Sequence, residues 1–205
     1  MSVCWIDTIP VEEADGELRE IYDEVKSPHG TVDNVYLAQS LRPHTLKAHD
    51  LLYRSVLHDE ANTLPAWFLE VVSVYTSLLN GCQYAVTHHF ANVRRLLNDE
   101  SRSARIFEAL SRSRLQDAFS GKELELLRYV QKLTRDPASV HREDIETLRS
   151  SGADDGQILE VNQVCACFNY ANRLLSGLGV ELGQDAIGYY PQGLKGSRRG
   201  RGDLP

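Results

Sequence analysis

The chain has 205 residues, of which 42% are hydrophobic and 25% charged, and its formal net charge is −7 at pH 7. A chain of this length and composition can fill one hydrophobic core, and its composition is not that of a disordered protein. The excess of negative charge argues against nucleic acid or an anionic membrane as the principal partner.

The first half of the chain is expected to form helices. Apolar residues between positions 18 and 25 recur at the i, i+3, i+4, i+7 spacing of an amphipathic helix. Pro43 can open a second helix that runs to about residue 57, and Pro65 can open a third. A fourth helix is expected from residue 82 to about residue 97, where the polar cluster at 98–101 ends it.

The second half shows the same kind of pattern. Ser120 and Glu123 match a capping box, which predicts a helix beginning there. A shorter helix is expected over about residues 142–150. Asp154 is the expected N-cap of the last long helix, which covers residue 158 to about residue 175. Helical periodicity therefore extends over most of the chain.

Strand signals are scarce. The β-prone run at residues 71–75 lies inside a longer helical pattern. The predicted fold is therefore all-α, a compact multi-helix domain over residues 1–191. Residues 192–205 shift in composition to Gly, Lys and Arg, and we expect them to form a flexible basic tail.

The most informative stretch surrounds Cys82. Asn80-Gly81 is a helix stop, which predicts that Cys82 lies in the first turn of a new helix, where the helix dipole favours a thiolate. Position 85 and His89 share one face of that helix, one turn apart. Cys82 and His89 are two turns apart, roughly 10 Å. Glu70, on the preceding helix, is placed to reach back and orient His89.

These residues match a redox motif with one sulfur missing. Glu70, Cys82 and His89 stand at the spacings of Glu-x11-Cys-x2-Cys-x3-His, and Ala85 occupies the place of the second cysteine. The chain resembles the alkylhydroperoxidase D-like branch of the carboxymuconolactone decarboxylase family, most closely its peroxidase-related members. The resemblance implies that Glu70, Cys82 and His89 are the catalytic residues. No Gly-rich phosphate loop, dinucleotide-binding motif or zinc-ligand spacing appears in the sequence, so no cofactor or metal is expected.

The resemblance covers about residues 10 to 191. It implies a homo-oligomer with the site near a subunit interface. The segments that carry it in the second half are 133–140, 151–155, 157–160, 168–173 and 177–180.

Two functional classes and an inactive homologue are the interpretations that stay open. The first is a thiol-based oxidoreductase that reduces hydroperoxides, with Cys82 as thiolate, His89 as base and Glu70 as its partner. Its partners would be a small-molecule hydroperoxide and a thiol reductant. Because position 85 is alanine, a sulfenic acid on Cys82 would need an external thiol or another cysteine to resolve it.

The second class is a cysteine-independent acid–base enzyme. Members of the decarboxylase branch lack the cysteine pair. A Glu–His couple can shuttle a proton in the decarboxylation or isomerisation of a small carboxylic acid. The third interpretation is an oligomeric homologue that has lost its activity.

The other cysteines and motifs give weaker indications of function. Four cysteines are too few and too irregularly spaced for a disulfide scaffold. Cys165 and Cys167 are interpreted as packing residues, with a substitute resolving thiol as the less favoured alternative. His88 beside His89 is not a metal motif, since adjacent helical residues diverge by about 100°. No apolar run approaches the ~20 residues of a membrane span, and the amino terminus lacks a basic-then-apolar signal, so the cytoplasm is the expected compartment.

Overall fold

The computed structural model describes residues 3–27, 30–183 and 185–188, and these residues form α-helices and short 3₁₀ turns with no strand. The all-α prediction is confirmed. The predicted tail, residues 192–205, lies outside the described residues. The α-helices, in chain order, are α1 (Gly16–Val25), α2 (Asn34–Leu37), α3 (Pro43–His58), α4 (Ala66–Leu79), α5 (Gln83–Leu97), α6 (Glu100–Ser111), α7 (Gly121–Arg135), α8 (Arg142–Ser150) and α9 (Asp155–Leu178).

Helix α4 lies at the centre of the domain. Every residue from Phe68 to Ser77 is buried, and α4 packs against α5, α7 and α9. A helix that is covered all round needs apolar residues on every face, which explains the β-branched run at 71–75. Packing against three helices overrides the strand propensity of that run. As a consequence, Glu70 is carried into the middle of the core.

Two smaller apolar clusters adjoin this core. One is formed by α1 and the start of α3, and it includes Leu18, Tyr22 and Leu46. The other surrounds the start of α5 and includes Cys82, Ala85 and Leu175. Residues of all three clusters line the cavity that is described below.

The predicted helix ends are partly confirmed. The Asp154 side chain accepts a hydrogen bond from the backbone N–H of Gln157 at 2.9 Å, as an N-cap does. The capping box at Ser120 is wrong, because the Ser120 side chain makes no capping hydrogen bond. Ser120 keeps the extended backbone of an N-cap, with φ −145° and ψ 167°, and Gly121 follows it with φ +53°.

Helix α6 was not predicted. The polar residues at 98–101 were interpreted only as the end of the preceding helix, and they also begin the next one. Asn98 ends α5 in the left-handed conformation, and one residue later Asp99 caps α6 by accepting from the N–H of Arg102 at 2.9 Å. End and start signals overlap here, so sequence spacing alone could not separate them.

The chain after α9 returns toward the start of the domain. Gly179, with φ +61°, ends α9, and a Cβ there would lie 2.1 Å from the Trp5 ring. The returning chain brings Asp185 to the N-terminus of α2, where the backbone N–H of Asn34 donates to it at 3.0 Å. This contact closes one side of the site described below.

Several large apolar side chains stay exposed on α3 and α9: Leu51, Leu52, Leu159 and Tyr170. A subunit interface of the predicted homo-oligomer could cover these side chains. The homo-oligomer itself stays a prediction. Within the described ranges, no helix is long and apolar enough to cross a membrane.

Candidate active site

Glu70 and His89 form a buried pair between α4 and α5. Glu70 is fully buried, His89 is 8% exposed, and the Glu70 Oε2 atom lies 2.7 Å from the His89 Nδ1 atom. The two helices are held side by side by a tight connection, in which Gly81 has φ +69° and the Cys82 N–H donates to the Ser77 carbonyl at 2.9 Å. The contact expected from the spacing of these residues is therefore present.

The second oxygen of Glu70 is also hydrogen-bonded. The amide Nδ2 of Asn92 donates to Oε1 at 3.1 Å, and the hydroxyl of Ser73 lies 3.4 Å from Oε2 while donating at 2.7 Å to the backbone carbonyl of Glu70. Asn92 is not among the site residues expected from the sequence. Its position three residues after His89, on the same face of α5, was the available signal.

These contacts assign the two nitrogens of His89. An ionised carboxylate only accepts hydrogen bonds, so the 2.7 Å contact with ionised Glu70 requires Nδ1 of His89 to carry the proton. Nε2 then holds the lone pair, and no hydrogen bond joins it to another residue that the structure describes. The edges of Phe168 and Tyr53 pack on the ring, with centroids at 4.6 and 6.0 Å, and limit its rotation. His89 is thus arranged as an oriented base.

A cavity lies in front of this pair, where the three apolar clusters meet. Its volume of about 80 Å³ is several times the ~10–15 Å³ that one water needs, so it has room for a small molecule. Helix α5 contributes Tyr84, Ala85, His88, His89 and Asn92 to its wall. The remaining wall comes from α1, α3, α9 and the region around α2: Val25, Asp33, Val35, Tyr36, His49, Asp50, Tyr53, Arg54, Cys167, Phe168, Ala171 and Leu175.

Cys82 stands apart from that wall. It is 3% exposed, it packs with Tyr84, Ala85 and Leu175, and it does not line the cavity. The prediction that it lies in the first turn of α5 needs correction by one residue. Cys82 is the N-cap, with non-helical φ −87° and ψ 87°, and its carbonyl accepts the first helical hydrogen bond from Val86. The left-handed Gly81 needs one further residue before the helix can begin.

The other cysteines of the core differ from each other. Cys165 is a packing residue, with its sulfur 3.3 Å from the Thr134 hydroxyl. Cys167 reaches the cavity wall, but burial raises the pKa of its thiol to about 11. Cys167 is therefore a neutral thiol at physiological pH.

A second polar group faces the same cavity. The Tyr84 hydroxyl donates to Asp185, and the His88 ring stacks on Tyr84 with centroids 4.7 Å apart. Nε2 of His88 lies 3.4 Å from the Asp185 carboxylate, a charge contact whose angles do not make a hydrogen bond. Burial, and then the negative charge of Asp185, raise the pKa of Asp33, while His88 opposes them.

A third group closes the opposite side. The Asp50 carboxylate accepts from the Tyr36 hydroxyl at 3.0 Å and pairs with the Arg54 guanidinium at 2.9 Å. Burial is the main cause that lowers the pKa of the neighbouring His49. Among the residues described, no cluster of three or more His, Cys, Asp or Glu side chains is placed to hold a metal ion.

Comparison with solved structures supports the family resemblance. No family model matches the chain, and no curated protein does. An uncharacterized peroxidase-related protein from Silicibacter sp. TM1040 is similar over 88% of this chain and 92% of that one, with 26% identity and a TM-score of 0.74. This similarity confirms the resemblance of the chain to alkylhydroperoxidase D-like, peroxidase-related proteins.

Two further solved structures share this fold at lower identity. The alkylhydroperoxidase AhpD core protein from Ralstonia eutropha JMP134 has a TM-score of 0.77 and 21% identity over 90% of this chain and 94% of that one. A variant of the debrominase Bmp8, in complex with 2,3,4-tribromopyrrole, has a TM-score of 0.66 and 15% identity over 91% and 93%. These two matches show the fold alone.

Compared with the alkylhydroperoxidase D-like pattern, this chain has the Glu–His pair and lacks one thiol. The methyl group of Ala85 lies on the cavity wall with His89, where the family pattern has its second cysteine. The remaining cysteine, Cys82, is outside that wall. The catalytic roles expected for Glu70, Cys82 and His89 stay proposals.

His58 makes the stability of the domain depend on pH. Burial lowers the pKa of His58 from 6.5 to about 4, which the charge of Glu70 offsets only in part. The unfolded chain binds a proton at His58 below pH 6.5 and the folded chain does not until about pH 4, so stability falls as the pH drops between these values. The loss amounts to at most about 3 kcal/mol.

We expect His58→Phe to flatten this dependence, because phenylalanine keeps a ring against Tyr53 and binds no proton. Urea unfolding of wild type and variant at several pH values between 6.5 and 4 measures it. His44→Gln, at an exposed histidine, is the matched control and should keep the wild-type slope. Equal slopes in wild type and His58→Phe would contradict the assignment.

Proposed function

We propose that this chain is an acid–base enzyme in which His89 takes a proton from a small organic substrate. Glu70 orients the imidazole and balances the positive charge that His89 gains. The observation that carries this proposal is the open Nε2 of His89 on a cavity whose wall has an alanine, Ala85, in place of the thiol.

The proton-transfer step needs only groups of this chain. A substrate proton moves to Nε2 of His89, and the electron pair it leaves behind is delocalised within the substrate. The imidazolium stays hydrogen-bonded to Glu70 and can return the proton to another atom of the substrate. The net reaction is then an isomerisation, with no electron transfer. A positioned base of this kind is typically worth about 10²–10⁴ in rate.

The base can be tested with an uncharged probe, 5-nitrobenzisoxazole. A base removes its carbon-bound proton while its N–O bond opens, and a coloured phenolate forms. We expect turnover by the wild type to fall by about 10² in His89→Gln, because general-base catalysis is lost. Glu70→Gln should retain part of the rate, since the ring remains but loses the carboxylate that fixes its tautomer.

The measurement is absorbance against time at saturating probe. His44→Gln serves as the control that also removes one histidine, and it should retain the wild-type rate. Cys82→Ser should change the rate by less than about twofold if the site works without a thiol. A rate that survives in His89→Gln would contradict the proposal.

Hydroperoxide reduction is the second candidate function. Similarity to the peroxidase-related protein supports it, and Cys82 lies in the same cluster as Ala85. A thiolate would attack the O–O bond, release an alcohol and become a sulfenic acid, which a second thiol must reduce through a disulfide. Because position 85 supplies no second thiol, we propose that this activity is weak. The debrominase with the same fold indicates that the fold is not tied to hydroperoxides.

Ala85→Cys should raise hydroperoxide reduction by at least about tenfold. The new thiol would lie one helical turn from His89, within reach of the base, and would complete a Cys-x2-Cys pair with Cys82. The assay follows consumption of tert-butyl hydroperoxide with dithiothreitol as reductant.

Ala171→Cys is the matched control, because Ala171 lines the same cavity from α9 and its cysteine would not complete a Cys-x2-Cys pair with Cys82. It should stay near the wild-type rate. Fast wild-type turnover that disappears in Cys82→Ser would show instead that Cys82 works without a local partner, and the second candidate would then replace the first.

A further inference from the structure

Five hydrogen-bond donors of the cavity wall are turned toward the protein itself. Tyr36 and Arg54 donate to Asp50, at 3.0 and 3.1 Å. Tyr84 donates to Asp185. Nδ1 of His89 and Nδ2 of Asn92 both point to the Glu70 carboxylate. Donors from three helices of the wall, α2, α3 and α5, thus serve three internal carboxylates.

Two hydrogen-bond acceptors of the cavity wall, by contrast, have no partner within the described part of the chain. Nε2 of His89 carries a lone pair with no partner among the described residues. The Oδ1 atom of Asn92 is buried and likewise has no hydrogen-bond partner in the part of the chain that the structure describes. Because Asn92 must turn Nδ2 toward the carboxylate, its oxygen cannot also be satisfied there. A buried acceptor without a partner is unfavourable unless a bound molecule donates to it.

The charges of the wall disfavour an anion. Asp33 and Asp50 line the cavity, and Asp185 lies behind Tyr84 and His88. Among the described residues that line the cavity, Arg54 carries a permanent positive charge. Its Nε atom lies 2.9 Å from Oδ2 of Asp50, which balances that charge. A carboxylate entering the cavity would therefore meet negative charge without an unmatched cation.

The rest of the wall is aromatic. The rings of Tyr36, Tyr53, Tyr84 and Phe168 line the cavity together with His89. Flat rings on several sides favour a planar apolar ligand, because such a ligand buries its surface and makes edge-to-face contacts with them.

We infer that the cavity binds an uncharged aromatic molecule that carries an O–H or N–H donor, and that it excludes carboxylates. The donor meets Nε2 of His89 or Oδ1 of Asn92, and the ring packs among the aromatic side chains. This inference rests on the proposed function, since the donated proton is the one that His89 would take. It narrows that function to substrates that enter the site without a carboxylate.

Three probes of nearly equal size test the inference by calorimetry on the wild-type protein. Phenol has the ring and the donor, anisole has the ring without the donor, and benzoate has the ring with a negative charge. We expect phenol to bind at least about tenfold more tightly than anisole, because only phenol satisfies the open acceptors. Benzoate should bind more weakly still.

A variant pair tests the role of charge. Asp50→Asn removes the carboxylate that matches Arg54, so the affinity for benzoate relative to that for phenol should rise by about tenfold or more. Asp117→Asn removes an equal charge from a surface ion pair with Arg114 and should leave benzoate binding at the wild-type level. Thermal melting confirms that both variants are folded; if Asp50→Asn is not, the three wild-type affinities alone decide.

Two results would overturn the inference. Anisole binding as tightly as phenol would show that the open acceptors do not select the ligand. Benzoate binding to the wild type as tightly as phenol would show that the charges do not exclude anions. Binding needs no turnover, so a protein that prefers phenol but fails the proton-transfer assay would uphold the inference and contradict the proposed function alone.

Discussion

The fully buried carboxylate of Glu70 is the constraint on which the rest of this site depends. A charge in the centre of a helical core costs on the order of several kcal/mol unless it is surrounded by donors. His89 and Asn92 supply those donors from one face of α5, which fixes the position of α5 against α4. The same contacts set the tautomer of His89 and turn its other nitrogen to the cavity. The hydrogen bonds to Glu70 therefore determine both the packing of α5 on α4 and the orientation of the His89 base.

The missing thiol changes what this arrangement can do. In a site with a sulfur at position 85, the base would face a nucleophile one helical turn away. Here it faces the methyl group of Ala85 and open space, and the nearest motif cysteine, Cys82, is buried at the N-cap outside the cavity. Without a neighbouring nucleophile, the His89 base can take a proton only from a molecule bound in the cavity. The charges and open acceptors of the wall then decide which molecules can enter.

The sequence predicted the parts of the site that depend on helical spacing. The interval between Glu70 and His89 crosses a single turn, so periodicity was sufficient to bring them together. It could not predict Asp33, Asp50 or Asp185, because their approach depends on how α1, α3 and the chain after α9 fold back on the core. Helix α6 was missed for a local reason, since Asn98 and Asp99 end one helix and begin the next without a spacer.

The central claim is that Glu70 holds the proton of His89 on Nδ1 and leaves Nε2 as an open base. A nitrogen-15 NMR correlation spectrum of the wild type at neutral pH tests it directly, because the two ring nitrogens have different shifts when protonated. We expect His89 to show a protonated Nδ1 and an unprotonated Nε2, and Glu70→Gln to show a mixture of tautomers. A proton on Nε2 of the neutral ring in the wild type would leave no lone pair facing the cavity and would contradict the account.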